Sequence, residues 1–305
     1  MIRYRQCPKN HHTLASSWMP LWSMAQDNQR GRHSIDVPTL LRDVAELQKS
    51  FAYRKKRRAF VVEGVRNFVH AVDHGFCLEK ILYSDRLLTA PIARKLVRRC
   101  RRSGVRAVKL TPEEYRSLSD TSRASGVAAI VRQKWAPLEQ ISVDQGLCWV
   151  VVEKVRSPGN LGTLIRTSQA VGGAGFIFVH ACTDPYSPAV VRSAMGAVYS
   201  QTFIRSDWAS LRRWAAEQQR AVIGATPDGP ADLHSFAFPK APLLVFGEER
   251  TGLNESQRST CCGLVSIPMQ SGTDSLNLGV AGSLVMYEVY RQQNLPEKLP
   301  DWRPA

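Results

Sequence analysis

Three stretches of this 305-residue chain place polar side chains directly after apolar runs, which is how a buried strand delivers groups to a site at its own end. The first is Ser157-Pro158-Gly159-Asn160-Leu161-Gly162-Thr163-Leu164-Ile165-Arg166, where a strand passes through a Pro-Gly turn into a helix. Asn160 is placed to cap that helix, and Arg166 projects from its second turn; a plain cap and a solvated arginine are the structural alternative. In the second, Leu243 to Leu253, an apolar strand stops at Gly247, and Glu248, Glu249 and Arg250 follow in a loop closed by Gly252. Glycines there permit close main-chain approach to a ligand; an ordinary strand–turn–helix connection is the alternative. The third runs from Ile267-Pro268-Met269 through small residues to Ser275-Leu276-Asn277. Ser275 is expected to cap the next helix and Asn277 to lie in its first turn, where unpaired backbone N–H groups can hold a polar ligand. The alternative is a capped core helix whose Gly279, Ala281, Gly282 and Ser283 admit a close neighbour.

Alternating strands and helices must position these loops. Strands are expected at 147–152, 175–179, 202–204, 221–225, 243–246 and 264–267, with helices at 160–171, 188–196, 208–219, 254–261 and 276–291. Apolar strands alternating with helices predict a parallel sheet covered on both faces, and ligands of such sheets bind beyond the strands' carboxyl ends. The loops after 152, 246 and 267 are therefore the expected site. Ahead of them lies a smaller α/β unit: a helix at 38–53, strands at 59–62, 81–83, 105–110 and 126–131, and helices at 64–74 and 91–102. The expected organisation is a disordered tail over 1–36, a front domain over 37–133, a linker over 134–146 and a C-terminal α/β domain over 147–305.

Composition narrows the function. The formal charge is +15, and residues 1–133 hold 26 Lys and Arg against 11 Asp and Glu, while residues 134–305 hold 15 of each. A basic module beside a neutral one points to a polyanion partner. Arg54, Lys55, Lys56, Arg57 and Arg58 form one basic run, and Arg94, Lys95, Arg98, Arg99, Arg101 and Arg102 crowd one helix; solvated helix faces are the alternative reading. No apolar run approaches the length of a membrane span. Gly172-Gly173-Ala174-Gly175 follows a helix and precedes a strand, the reverse of a dinucleotide-binding turn, and no phosphate-cradling P-loop occurs. The seven cysteines are scattered with no paired C-x-x-C, unlike a secreted disulfide framework or a zinc site. Cys7, His11 and His12 lack a second set of ligands, so no metal is expected, and Cys261 and Cys262 read as packing. A cytoplasmic protein is expected. The acidic-poor first 26 residues leave open an organelle transit peptide, a disordered tail, or translation from Met24.

Together the three segments resemble the SpoU (TrmH) family of RNA ribose 2′-O-methyltransferases in the SPOUT superfamily. Its motifs N-x-G-x-x-x-R, G-x-E-x-x-G-L and I-P-M…S-L-N stand here, in order, as Asn160/Gly162/Arg166, Gly247/Glu249/Gly252/Leu253 and Ile267-Pro268-Met269…Ser275-Leu276-Asn277. Weaker similarity over about 40–131, opening at Phe60-Val61-Val62-Glu63-Gly64, looks like the family's ribosomal-protein-like substrate-binding domain, most similar to its rRNA-modifying and thiostrepton-resistance branch.

The resemblance implies a deep trefoil knot, an exception to the rule that chains do not thread loops, and a homodimer in which each site is completed by the partner. It implies S-adenosylmethionine as cofactor, contacted by Gly247, Leu253, Ile267, Met269 and Leu276, and no metal. It nominates Asn160, Arg166, Glu249, Ser275 and Asn277 as catalytic and places Arg192 near the RNA. The family often has Asp where Ser157 stands and Ser where Gly279 stands. Ribosomal RNA is the expected substrate, with tRNA, base methylation, or a non-catalytic RNA-binding or ribosome-assembly role as alternatives.

Overall fold

A computed structural model describes residues 36–121, 123–142, 145–180, 183–271 and 275–295. The expected tail, up to residue 35, and the Cys7/His11/His12 cluster lie outside the described residues.

The front module begins with two helices where one was expected, α1 (Val37–Lys49) and α2 (Phe51–Arg57). Ser50 divides them: its extended backbone leaves the helix, and its hydroxyl accepts the Tyr53 N–H to cap α2. There follow β1 (Ala59–Glu63), α3 (Val65–Asp73), β2 (Leu78–Tyr83), α4 (Pro91–Arg102), β3 (Arg106–Lys109), α5 (Pro112–Leu118) and β4 (Val127–Arg132). The sheet order is β1-β4-β2-β3, with β4 antiparallel to both its neighbours and β2 parallel to β3. Helix α5 was not expected, although Thr111 and Glu114 form a reciprocal capping box around Pro112.

The larger module alternates β5 (Trp149–Val152), α6 (Pro158–Val171), β6 (Gly175–Val179), α7 (Pro188–Ser193), β7 (Thr202–Ser206), α8 (Trp208–Glu217), β8 (Val222–Ala225), β9 (Ala231–Asp232), β10 (Leu243–Phe246), α9 (Glu255–Thr260), β11 (Gly263–Ser266) and α10 (Leu278–Asn294). Its seven strands run β7-β6-β5-β10-β8-β11-β9, every pair parallel. Strand alternation sorts the core. Val150, Val152, Leu244 and Phe246 face one cluster with Leu164 of α6 and Met286 of α10, while Trp149, Val151, Leu243 and Val245 face another with Leu211 and Trp214 of α8. None of the described helices is long and apolar enough to cross a membrane.

The first of these clusters continues without a break into the front sheet through Phe60, Phe76, Tyr186 and Phe203. Phe60 and Tyr186 have ring centroids 4.6 Å apart. The connection between the modules is anchored to the core at Trp135 and Leu138. Trp135 meets Phe178, Tyr186 and Phe203 edge-on or tilted, and Arg205 lies 3.7 Å above its ring. Tyr186 donates its hydroxyl to the Lys134 carbonyl (2.6 Å), and Leu138 is buried.

Candidate active site

Strand order brings the three segments together. β5 and β10 are neighbours in register, Val152 beside Phe246, so the loops leaving them lie side by side. Asn160 Nδ2 donates to Glu249 Oε1 at 2.6 Å, and the same oxygen accepts the Ser157 N–H at 3.4 Å. Beside it, Glu248 takes Arg156 Nε at 2.6 Å with Lys154 at 3.5 Å, and the Arg156 hydrogen bond holds the Glu248 carboxyl below the usual carboxylate range. Glu248 and Gly252 exchange two backbone hydrogen bonds, which pinch the loop shut. A Cβ on Gly247 would fall 2.2–2.5 Å from the Gly252 and Leu253 backbone, so only glycine permits that closure.

The caps differ from the expected ones. Ser157, not Asn160, caps α6, its hydroxyl accepting the Asn160 N–H at 3.4 Å; the chain turns helical earlier, at Pro158, and frees the Asn160 side chain for Glu249. Asn277, not Ser275, caps α10, its Oδ1 accepting the N–H groups of Gly279 (2.9 Å) and Val280 (3.3 Å). The start of α10 lies on the start of α6, where a Cβ on Gly279 would meet Thr163 Cβ and Asn160 Cα at 3.3–3.4 Å. Gly162 of the first motif is steric: a Cβ there would collide with the Ser193 side chain of α7.

The loops after β10 and β11 line a cavity of about 450 Å³; Asn160 and Asn277 stand outside its lining, Asn160 joined to it through Glu249. Phe246, Ile267, Leu276, Leu278 and Ala281 give it apolar walls, and Gly247, Glu248, Glu249, Arg250, Met269 and Ser275 reach it from the expected loops. Leu253 does not line it; the side chain is buried in the core cluster on the other face of the sheet. Arg166 does not line it either. It is exposed on α6 and makes no hydrogen bond or ion pair with the described residues.

The sequence reading missed one wall. Thr226, Pro227 and Asp228 follow β8, and Arg258 of α9 closes on them. Arg258 donates to both Asp228 oxygens (2.7 and 3.0 Å) and to Thr226 Oγ1 (3.0 Å). That clasp, with the Thr226 hydroxyl at 2.6 Å, lowers the Asp228 carboxyl to about 2. β8 stands between β10 and β11, so a cavity spanning the loops of those two strands must meet the β8 loop.

The basic residues divide. Arg54 is 4% exposed, against the expectation that it faces RNA. Its Nε lies 2.7 Å from Asp184 Oδ2 and its Nη1 donates to the Leu47 and Gln48 carbonyls (2.7 and 3.0 Å). A guanidinium folded back from a short helix onto its own chain and a buried acid is spent on the fold and out of a phosphate's reach. Arg57 is half-buried and shared between Asp43 and Glu79. Lys55, Lys56, Arg58, Arg98, Arg99, Arg101 and Arg102 are exposed, and exposed Arg192 lies 3.4 Å from Asp120. Cys261 is half-buried, with burial pushing its thiol up to about 12, a packed and unreactive group. Among the described residues no cluster of His, Cys, Asp and Glu could hold a metal.

The cavity suits an adenosine-bearing sulfonium. Apolar walls accept a flat ring, the Gly247 and Gly252 backbone lies beside them, and Glu249 lines the same cavity next to Glu248 and Asp228, which Arg156 and Arg258 already pair. Residues 148–287 match the SpoU rRNA Methylase family, and residues 39–129 match an MRM3-like substrate binding domain. The chain is 32% identical over 249 residues to a 23S rRNA (uridine(2479)-2′-O)-methyltransferase of Streptomyces viridochromogenes, covering 78% of this chain and 85% of that one. It is 30% identical over 200 residues to the 23S rRNA (guanosine-2′-O-)-methyltransferase RlmB of Ralstonia nicotianae, covering 63% and 80%. Among solved structures, an AdoMet-bound rRNA methyltransferase from Sinorhizobium meliloti superposes with a TM-score of 0.77 at 27% identity, over 84% of this chain and 95% of that one. The likeness to the Streptomyces enzyme runs through both modules, and on that ground the chain belongs to the SpoU rRNA methylase family.

Proposed function

We propose that this protein methylates a ribose 2′-hydroxyl of ribosomal RNA using S-adenosylmethionine. The observation that carries the reading is the Asn160–Glu249 clasp at the mouth of the cavity, which joins two family motifs into one site. The relatives' stated activities, on uridine and on guanosine of 23S rRNA, favour ribosomal RNA over tRNA. The cofactor supplies an electrophilic methyl group on a sulfonium. The protein's own tasks are to place the attacking oxygen in line, to help its proton leave and to offset the developing charge. Glu249, fixed by Asn160, is an acceptor at the cavity mouth. A guanidinium keeps its proton at any working pH, so Arg166 acts by holding phosphate and easing ionisation of the hydroxyl.

Arg166 lies outside its own chain's cavity, which supports a homodimer in which it completes the partner's site. Val280, Leu284 and Tyr287 line one side of α10 at 47%, 44% and 53% exposure, an apolar stripe suited to a second copy. The knot belongs to the same proposal: α10 packs on α6, so the chain leaving β11 must cross the ends of β8 and β10.

The test is transfer of labelled methyl from S-adenosylmethionine to protein-free ribosomal RNA, followed by nucleoside mass spectrometry. A 2′-O-methylnucleoside whose yield collapses in Arg166→Ala is expected. No label in ribosomal RNA, or label on a base, overturns the reading.

A further inference from the structure

A second cavity, of about 260 Å³, opens at the carboxyl end of β1 where the front module meets α7. It shares no lining residue with the Gly247 cavity. The front module contributes Gln48, Val61, Glu63, Asn67 and Arg123, and α7 contributes Pro188, Val191 and Arg192. Val61 and Val191 are buried, so with Pro188 they form a flat apolar slot.

The rim of this slot is rich in acceptors. One Glu63 oxygen accepts the Ser119 hydroxyl and the other the Asp120 N–H at 3.2 Å, while the Thr121 hydroxyl gives its single proton to the nearer Arg123 carbonyl at 3.1 Å. A carboxylate has about four lone-pair positions, so these two donors fix Glu63 and leave one acceptor position open on each of its oxygens. The Asn67 amide donates to the Glu63 carbonyl at 3.1 Å and the Gln48 amide to the Leu118 carbonyl at 2.7 Å. Each side-chain carbonyl is thereby left as an acceptor. Donors come from Arg123, exposed, and from Arg192, held 3.4 Å from Asp120.

Apolar flat walls, an acceptor-rich edge and two guanidinium groups fit one kind of RNA component, an unstacked nucleobase. Sequence-selective RNA recognition takes bases out of the stack and reads their edges in this way. Among the bases, guanine has adjacent N1–H and N2–H donors that match the two oxygens of a carboxylate, and an O6/N7 pair that matches an arginine. Resting on the RNA-methyltransferase reading, we infer that this cavity holds a guanine base that flanks the methylated nucleotide, with Glu63 and Arg123 as its specificity-determining contacts. The two sites are mechanically joined: Ser193, next to Arg192, donates to the Pro158 carbonyl (3.1 Å) at the start of the helix that carries Asn160.

The test is saturation-transfer NMR on the full chain with S-adenosylmethionine saturating the Gly247 cavity, using guanosine 5′-monophosphate and adenosine 5′-monophosphate as probes. Transfer to the guanine nucleotide, weak transfer to the adenine nucleotide, and loss of the guanine signal in Glu63→Gln are expected. With ribosomal RNA as methyl acceptor, Glu63→Gln should raise KM for RNA about tenfold or more while kcat and cofactor affinity hold. Cofactor binding by calorimetry reports whether Glu63→Gln is folded; if it is not, Arg123→Ala decides by the same readouts. No guanine signal, equal signals from both nucleotides, or a signal unchanged in both variants overturns the site. A wild-type protein that labels ribosomal RNA but fails the nucleotide test loses this site and keeps the proposed activity. One that passes the nucleotide test but never labels RNA loses the activity instead.

Discussion

Asn160 and Glu249 stand 89 positions apart in sequence and 2.6 Å apart in space, and their hydrogen bond ties the loop after β5 to the loop after β10. Glu249→Ala strands the Asn160 amide and removes the acceptor at the cavity mouth. Single-turnover methyl transfer at saturating cofactor should fall about a hundredfold. Glu249→Gln keeps one acceptor oxygen and should lose less.

The ion pair between Arg54 and Asp184 is structural, with side chains 5% and 10% exposed. Arg54→Met leaves a buried carboxylate facing an apolar stem and should cost about 3 kcal/mol in urea unfolding. The double variant with Asp184→Asn should cost less than the sum of the two single changes, because the stranded charge is gone.

Gly162→Ala tests the seat of α7. Alanine favours a helix by about 1 kcal/mol over glycine, yet here its Cβ would overlap Ser193 and crowd the Ala194 backbone. We expect net destabilisation of about 1–3 kcal/mol, read as a lower Tm.

His70 gives the fold a pH dependence. Its ring stacks on Tyr199, and burial, then the neighbouring charges of His74 and Arg66, lower its pKa from 6.5. The unfolded chain then binds a proton more readily than the native one, so stability is full above pH 6.5 and falls as pH drops through that value. Urea midpoints should decline more from pH 7.5 to about 5.5 in the wild type than in His70→Gln.

The exposed arginines of α4 should dominate the salt response of RNA binding. Replacing Arg98, Arg99, Arg101 and Arg102 with glutamine should weaken binding and flatten the slope of log K against log salt by roughly 0.7–0.9 per lost phosphate contact. Cofactor affinity should not change.

Much of the site could be read from residue order. The apolar runs 243–246 and 264–267 and the glycine and polar residues after them placed two walls of the cavity, because a parallel sheet exposes only its strand ends; the loop after 152 reaches the site only through the Asn160 bond to Glu249. The β8 wall was not legible. Thr226, Pro227 and Asp228 carry no distinctive spacing, and only the strand order β10-β8-β11 makes them neighbours of Gly247 and Ile267. The caps failed for a local reason: Ser157 and Asn160, like Ser275 and Asn277, are competing cap residues within one turn. Which of them wins depends on what the other can reach, and Asn160 reaches Glu249. Arg54 misled because a basic run is read as a surface, whereas α2 turns one of its arginines inward to Asp184.

The packed connection through Trp135 and Leu138 sets a rule for substrates. Two modules on a slack tether could each find its own part of the RNA at many separations, with the tether setting only their effective concentration. Here Phe60, Tyr186 and Trp135 weld them through one core, so the span from the arginines of α4 to the clasp at Glu249 is a fixed length. We expect the protein to work as a ruler: with RNA phosphates held by the α4 arginines, lengthening or shortening the RNA between that landmark and the target ribose should abolish methylation without weakening capture.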